Sequence, residues 1–365
     1  MKRTLTVDAR MLKAAGIGTY LRSLLPRLMQ KAPEWRFVLI GRREEMESFS
    51  WARSPQATLI HSSRPIYAPG EQWEIPNKIP AETDLYWQPH YNIPLFYRGK
   101  LLVTVHDLLY LDAPGIPGGF HKRLYARLFF SALRRKADGI LCVSGYTKER
   151  LLFHTGKGKA EPTVVYNGID ESWFHTEKGE RPYAKPYLLY VGSVKPHKNL
   201  VRLITAFKSL LEKIPHDLMI VGKKEGLITG DNRALKAAED LGDRVRFTGD
   251  FDHDDPRFRQ YYLHAEALIL PSLYEPFGLP ALEAMACGCP VILSQAEALP
   301  EVYGNAAEYF DPLSTEDMAE KIYKVLMDPE LRKDLSRRGL GQARLYNWDK
   351  SADETFAVIQ RIIGS

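Results

Sequence analysis

Only three cysteines occur in the 365 residues, Cys142, Cys287 and Cys289. Their spacing gives neither a disulfide framework nor a four-ligand metal set, so a reducing cytoplasm, up to the inner face of the plasma membrane, is the expected compartment. No apolar run approaches the roughly 20 residues of a membrane-spanning helix. The opening Met-Lys-Arg-Thr-Leu-Thr-Val-Asp runs straight into a strand pattern without the apolar core of a signal peptide. No Gly-x-Gly-x-x-Gly sits tight against a first strand, which removes the usual basis for a nicotinamide-dependent oxidoreductase. Neither sign of charge dominates the chain as a whole, at a formal +5, but residues 1–180 hold 26 Lys/Arg against 18 Asp/Glu. A basic amino-terminal half suits an anionic acceptor or membrane surface; nucleic acid is not an expected partner.

What is present is a repeated alternation of short apolar runs and amphipathic stretches over a length that fits two domains. The sharpest stretch is 271–290, between the strand-like runs Ala267–Leu270 and Pro290–Leu293. Pro280 suits the first helical position and Gly288 the residue just past the helix end. Glu275 lies in the loop and Glu283 lies eight residues on, inside the helix. The amides of Phe277, Gly278 and Leu279 would open that helix and favour an anion such as a phosphate. Two carboxylates framing an anion cradle can accept hydrogen bonds from a sugar at one end and a ribose at the other.

That string, Glu275-Pro-Phe-Gly-Leu-Pro-Ala-Leu-Glu283, resembles the signature of the retaining GT-B glycosyltransferases of the bacterial group 1 family, family 4 in the usual numbering. The resemblance implies an α/β fold of two doubly wound Rossmann-like domains facing a cleft. It implies that Glu275 holds the transferred sugar and Glu283 the nucleotide ribose. The strand 101–105 followed by His106-Asp107 resembles the family's strand-His-Asp motif, whose histidine reaches the donor sugar. Gly192-Ser193-Val194-Lys195-Pro196-His197-Lys198 resembles its diphosphate loop, with Lys198 as the phosphate-binding lysine. Ser193 stands where relatives often carry an arginine, and Lys195 is the available substitute. Gly249-Asp250-Phe251 falls where relatives seat the base. Gly16-Ile17-Gly18 resembles the amino-terminal glycine loop near donor phosphates and acceptor.

The expected organisation is an acceptor-binding domain over 1–175, a polar linker over 171–186, and a nucleotide-sugar domain over 187–346. The last helix, 347–365, would cross back to the first domain. Within the first domain, Tyr67, Trp73, Tyr86, Trp87, Tyr91, Phe96 and Tyr97 suit either a carbohydrate face or a core. A basic helix over 121–136, with Leu124, Leu128 and Leu133 as one stripe, suits either anionic lipid or a solvated face. Asp252-His253-Asp254-Asp255 reads as the acidic first turn of a helix starting at Pro256, not as metal ligands. Neither a metal nor another cofactor is expected.

The implied activity is metal-independent transfer of a sugar, with retention, from a nucleoside diphosphate sugar to a polysaccharide or lipid-linked glycan. The Pro-His-Lys-Asn and His-Asp motifs lean toward relatives that use GDP-mannose. UDP-glucose and UDP-N-acetylglucosamine relatives share most of these residues. A non-catalytic sugar-nucleotide-binding subunit is the remaining alternative, and intact Glu275, Glu283 and Lys198 weigh against it.

Overall fold

The computed structural model describes residues 2–113, 119–222, 231–249, 251 and 255–364. The chain divides into two compact units, one of residues 1–114, 118–168 and 348–365, the other of 115–117 and 169–347.

The first unit alternates β1 (Thr4–Asp8), α1 (Gly16–Lys31), β2 (Arg36–Gly41), α2 (Arg43–Glu47), β3 (Ala57–His61), α3 (Glu71–Lys78) and β4 (Leu85–Gln88). It continues through β5 (Leu101–Val105), α4 (Leu109–Asp112), α5 (Gly119–Lys136), β6 (Gly139–Cys142), α6 (Gly145–Thr155) and β7 (Pro162–Val164). These seven strands pair in the order β3-β2-β1-β4-β5-β6-β7, and every pairing is parallel. Strands such as Leu-Leu-Val-Thr-Val of β5 are buried along their whole length, as a sheet covered on both faces requires.

The second unit runs β8 (Tyr187–Val191), α7 (Leu200–Lys208), β9 (Asp217–Val221), α8 (Asn232–Glu239), β10 (Val245–Gly249), α9 (Pro256–His264) and β11 (Ala267–Leu270). Then follow α10 (Leu279–Ala286), β12 (Val291–Ser294), α11 (Leu299–Tyr303), β13 (Glu308–Phe310), α12 (Thr315–Met327) and α13 (Pro329–Ala343). Its sheet order is β10-β9-β8-β11-β12-β13, again all parallel. The order reverses beside β8, so the loops after β8 and its neighbour β11 flank a switch point, where α/β sheets seat ligands. The final helix α14 (Trp348–Gly364) belongs to the first unit and packs on α1.

Several sequence expectations shift. The stretch 171–186 is not a free linker: Trp173 is buried against Tyr262, with ring centroids 5.6 Å apart, and the Tyr183 hydroxyl donates to buried Asp217 at 2.5 Å. Pro280 occupies the second helical position, since Gly278 is the N-cap and α10 starts at Leu279. Asp255 is the N-cap of α9, its side chain accepting from the Arg257 amide at 2.9 Å, and no acidic residue lies in that helix's first turn. Residues 252–254, and with them most of the expected acidic turn, lie outside the described residues.

The stripe expected on α5 is not a stripe. Leu133 is fully buried, whereas Leu124 and Leu128 are each 54% exposed. At about 100° per residue, positions nine apart face opposite ways. The packed face is Ala126, Phe129, Phe130 and Leu133. The aromatics of 61–98 also divide: Tyr86, Trp87 and Tyr91 fill the core, while Tyr67, Trp73 and Phe96 are exposed.

Candidate functional site

In the second unit the site grows from β11 and the loop that follows it. Helix α10, Leu-Pro-Ala-Leu-Glu-Ala-Met-Ala, is buried from Ala281 to Ala286, apolar on every side except for Glu283. A carboxylate in that setting needs a partner. The Tyr262 hydroxyl of α9 donates to Glu283 Oε2 at 2.5 Å. Burial, and then the Glu283 charge, push the Tyr262 phenol far above its usual range, so it stays a donor.

Glu275 is 8% exposed. Its Oε2 accepts from Lys198 Nζ at 2.7 Å and from Ser272 Oγ at 3.0 Å. Lys198 sits in a single 3₁₀ turn, Pro196–Lys198, in the loop after β8. Asn199 fixes that turn from a left-handed backbone position, φ 60°, which a short amide side chain tolerates. Its Nδ2 donates to the carbonyls of Pro271 and Pro312 at 2.9 and 2.8 Å, and the Leu273 amide donates to the His197 carbonyl at 2.8 Å. The loops after β8 and β11 are thereby clamped together, which brings Lys198 onto Glu275 across 77 residues of chain.

Gly278 adopts φ 85° and its carbonyl accepts from Tyr303 Oη at 2.6 Å. A side chain there would meet Leu299 at 2.8 Å. The amides of Phe277, Gly278 and Leu279 have no hydrogen-bond partner among the described residues. Phe277 is buried edge-on to Tyr346. Three donors at a helix start, next to a lysine and a buried carboxylate, are an arrangement that can hold an anion.

Strands β8 and β9 run into Gly192 and Gly222, and β10 ends on Gly249. The Gly192 amide donates to Val221 O at 2.9 Å and the Gly222 amide to Gly249 O at 2.8 Å. A Cβ on Gly222 would fall 2.0 Å from the Gly192 carbonyl oxygen, so this rim excludes side chains. Gly249, φ 87°, would place a Cβ within 4 Å of no atom of the described residues. The Ser193 carbonyl accepts from Tyr190 Oη at 3.1 Å and from the Lys195 amide at 3.1 Å, which closes the turn before Lys198. Phe251 packs on Tyr261 with ring centroids 5.3 Å apart. Lys223, Lys224 and Asp250 lie outside the described residues.

In the first unit His106 follows β5. The Pro89 carbonyl accepts from its ring, and Nε2 is buried with no partner among the described residues. Its ring stands edge-on to Tyr20 at 4.8 Å. Burial, and then neighbouring His90, lower its pKa to about 3, so the ring is neutral with an unused acceptor nitrogen. Gly18 has a packing reason for its identity, since a Cβ would sit 2.6 Å from the Leu12 carbonyl oxygen, whereas Gly16 has nothing within 4 Å.

Burial also lowers His90, to about 4. The unfolded chain takes up protons on these histidines near pH 6.5, and the folded chain refuses them until far lower pH. Stability therefore falls as the pH drops below about 6.5, by up to about 1.4 kcal/mol per pH unit for each. Urea unfolding should show a lower midpoint at pH 5 than at pH 7, and His90→Phe should flatten that dependence.

Sequence reasoning missed Tyr262, Ser272 and Asn199. Only Asn199 carried a signal, as an asparagine directly before a helix. No group of three metal-ligating side chains occurs among the described residues, and no described helix is long and apolar enough to cross a membrane.

Two protein families match the chain: "Glycosyltransferase Family 4" over residues 15–173 and "Glycosyl transferases group 1" over 171–341. The chain is 26% identical over 317 residues to O-antigen chain mannosyltransferase B of Escherichia coli, covering 82% of this chain and 79% of that one. It is 29% identical over 223 residues to O-antigen chain mannosyltransferase RfbU of Salmonella typhimurium, covering 61% and 59%. Against the longer serotype-specific mannosyltransferase WbdA of Escherichia coli it is 31% identical over 289 residues, and it spans only 34% of that protein. Among solved structures, sucrose-phosphate synthase of Thermosynechococcus elongatus superposes with a TM-score of 0.80 at 22% identity, covering all of both chains. HepE of Anabaena in complex with UDP-glucose gives 0.75 at 17%, covering 98% of this chain and 99% of that one. The fold is GT-B.

Proposed function

We infer that this chain, which belongs to the group 1 glycosyltransferases, transfers a single sugar with retention from GDP-mannose to a polysaccharide or lipid-linked glycan. The observation that carries the reading is the Lys198–Glu275 pair beside the three unpartnered amides of 277–279, with Glu283 buried in the same helix. Lys198 pairs with Glu275 in this structure. A bound diphosphate takes over the lysine and the amides. Glu275, still held by Ser272, then accepts from a hydroxyl of the transferred sugar. Glu283 accepts from the ribose. Lys198 and the helix-start amides stabilise the charge that develops on the leaving diphosphate, the main electrostatic contribution to the rate.

The neutral His106, whose ring nitrogen is buried in this structure, would accept from a substrate hydroxyl once that nitrogen is uncovered. On this reading transfer proceeds on the front face of the sugar, and the diphosphate oxygen takes the acceptor proton. A lipid-linked acceptor is presented at a bilayer, which makes a membrane-facing surface part of the same reading.

The mannosyl donor rests on the names of the sequence relatives and on Pro196-His197-Lys198-Asn199. UDP-glucose is the second reading, favoured by the likeness to HepE. A thermal-shift panel of GDP, UDP, GDP-mannose, UDP-glucose and UDP-N-acetylglucosamine separates them. A ligand at about 100 times its Kd adds about 2.7 kcal/mol of stability. GDP compounds should raise the melting temperature and UDP compounds should not. The reverse order would replace the donor but keep the site. Proton NMR of the product's anomeric centre reads retention directly.

A further inference from the structure

The carboxyl end of the first unit's sheet holds a polar and aromatic cluster that the transfer chemistry above does not use. The sheet order reverses between β1 and β4, the kind of place where α/β sheets seat ligands. Asp8 ends β1, and His90, Tyr91 and Asn92 follow β4. Arg10 is fully engaged here: Nε and Nη2 donate to Asp8 at 3.0 and 2.6 Å, and Nη1 donates to Glu71 at 2.8 Å. Its side chain is 4% exposed. Glu71 also accepts from Asn92 Nδ2, and Asn92 Oδ1 accepts from the Tyr125 hydroxyl of α5.

Tyr67 joins this network from the loop before α3. Its backbone is left-handed, φ 71°, which is an outlier for a bulky side chain and a mark of functional sites. Its amide donates to Glu71 Oε1 at 2.9 Å. The half-exposed ring meets His90 and Tyr125 edge-on, with centroids 5.5 and 5.8 Å apart. His90 is neutral and its Nδ1 accepts from the Asn92 amide at 3.2 Å, so Nε2 carries the proton and donates to the Tyr67 hydroxyl at 3.2 Å. That leaves the Tyr67 hydroxyl proton for another acceptor. The neighbouring Tyr91 hydroxyl is buried and makes no hydrogen bond among the described residues. Asp107, which accepts from the Leu109 amide at 3.1 Å, is close enough that its charge, after burial, raises the pKa of the Tyr67, Tyr91 and Tyr110 phenols.

The local charge runs against the basic composition of this half of the chain. Asp8, Glu71 and Asp107 face Arg10 and Lys122, whose ammonium lies 5.3 Å from the Tyr110 ring centre. We propose that Tyr67 and Asp107 form a seat that selects an uncharged sugar as the terminal residue of the acceptor and rejects one ending in a phosphate or a uronate. Phenols and a carboxylate bond sugar hydroxyls, and aromatic rings cover sugar C–H faces. An anionic group would meet excess negative charge beside a guanidinium already closed by two carboxylates. The seat rests on the reading of the chain as a sugar transferase.

The test is transfer from the donor selected by the thermal-shift panel to octyl α-mannoside, octyl α-glucoside and octyl N-acetylglucosaminide, each beside its 6-phosphate, with octyl glucuronide as a second anion. Release of nucleoside diphosphate above the acceptor-free rate is the readout. A neutral glycoside should be preferred over its anionic counterpart by about a hundredfold in kcat/KM, the scale of a like-charge juxtaposition. Tyr67→Gly suits φ 71° and should fold; its acceptor KM should rise about tenfold, for the lost hydroxyl and ring, against less than about twofold in donor KM. Asp107→Asn keeps an acceptor for the Leu109 amide and should narrow the preference about tenfold. An anionic glycoside used as well as its neutral parent overturns the proposal. So does an unchanged acceptor KM in folded Tyr67→Gly, or no transfer to any neutral glycoside by a chain that binds the donor. A chain that binds no nucleotide sugar in the thermal-shift panel would remove the transferase reading and the seat with it.

Discussion

Lys198→Ala lowers turnover by about a hundred- to thousandfold, the scale of losing one preorganised donor at a developing oxyanion. The lysine is the one described cation paired with Glu275, and its reach is fixed by the Asn199 clamp. Its loss acts twice. The leaving diphosphate is less well neutralised, and Glu275 is left as a nearly buried carboxylate with Ser272 as its remaining donor among the described residues. Thermal stability should fall along with turnover. Glu275→Ala should also depress turnover, because sugar positioning is lost, but with a smaller stability cost, since the Lys198 side chain is 21% exposed and can turn to water. The double variant should lose less than the sum of the two, as contacting partners do. Lys198→Arg restores charge without restoring a point donor and should recover only part of the rate. Steady-state kinetics of the four proteins checks this. Near-normal turnover in both single variants contradicts the assignment.

Glu283→Ala weakens nucleotide binding by about 1–3 kcal/mol, the range for a charged hydrogen bond, and changes turnover at saturating donor far less. The variant also strips the fully buried Tyr262 hydroxyl of an acceptor, so some stability is lost whatever the ligand does. Tyr262→Phe separates the two effects. It removes the tyrosine–carboxylate bond and leaves the carboxylate present for ribose. Titration calorimetry with the nucleoside diphosphate should show a large loss for Glu283→Ala and a small one for Tyr262→Phe. Equal losses would make Glu283 a structural partner of Tyr262 and nothing more.

Much of the second unit is legible in the sequence because its central strands are continuous apolar runs. Tyr-Leu-Leu-Tyr-Val and Ala-Leu-Ile-Leu are buried at every position. Glu283 stands out for the same reason, as a charge in an otherwise apolar helix. The clamp around Lys198 is not legible. It depends on β8 lying beside β11, and a side chain that bonds carbonyls 72 and 113 residues away leaves no local pattern. Tyr262 is hidden likewise, in a helix whose aromatics read equally well as core. On α5 the apolar residues occupy both sides of the helix, so periodicity alone merged an exposed row with a buried one. The glycines of 16–18 show the opposite limit: Gly18 owes its identity to the Leu12 carbonyl, which a ligand-binding pattern cannot distinguish from a phosphate contact.

The proposed function stands on a nucleoside diphosphate sugar binding the second unit through its pyrophosphate. A crystal structure of the chain with GDP tests it most directly. Phosphate oxygens should lie within hydrogen-bonding distance of the Gly278 and Leu279 amides and of Lys198 Nζ, with both ribose hydroxyls on Glu283. Density for the nucleotide elsewhere, with Lys198 still closed on Glu275, would contradict it.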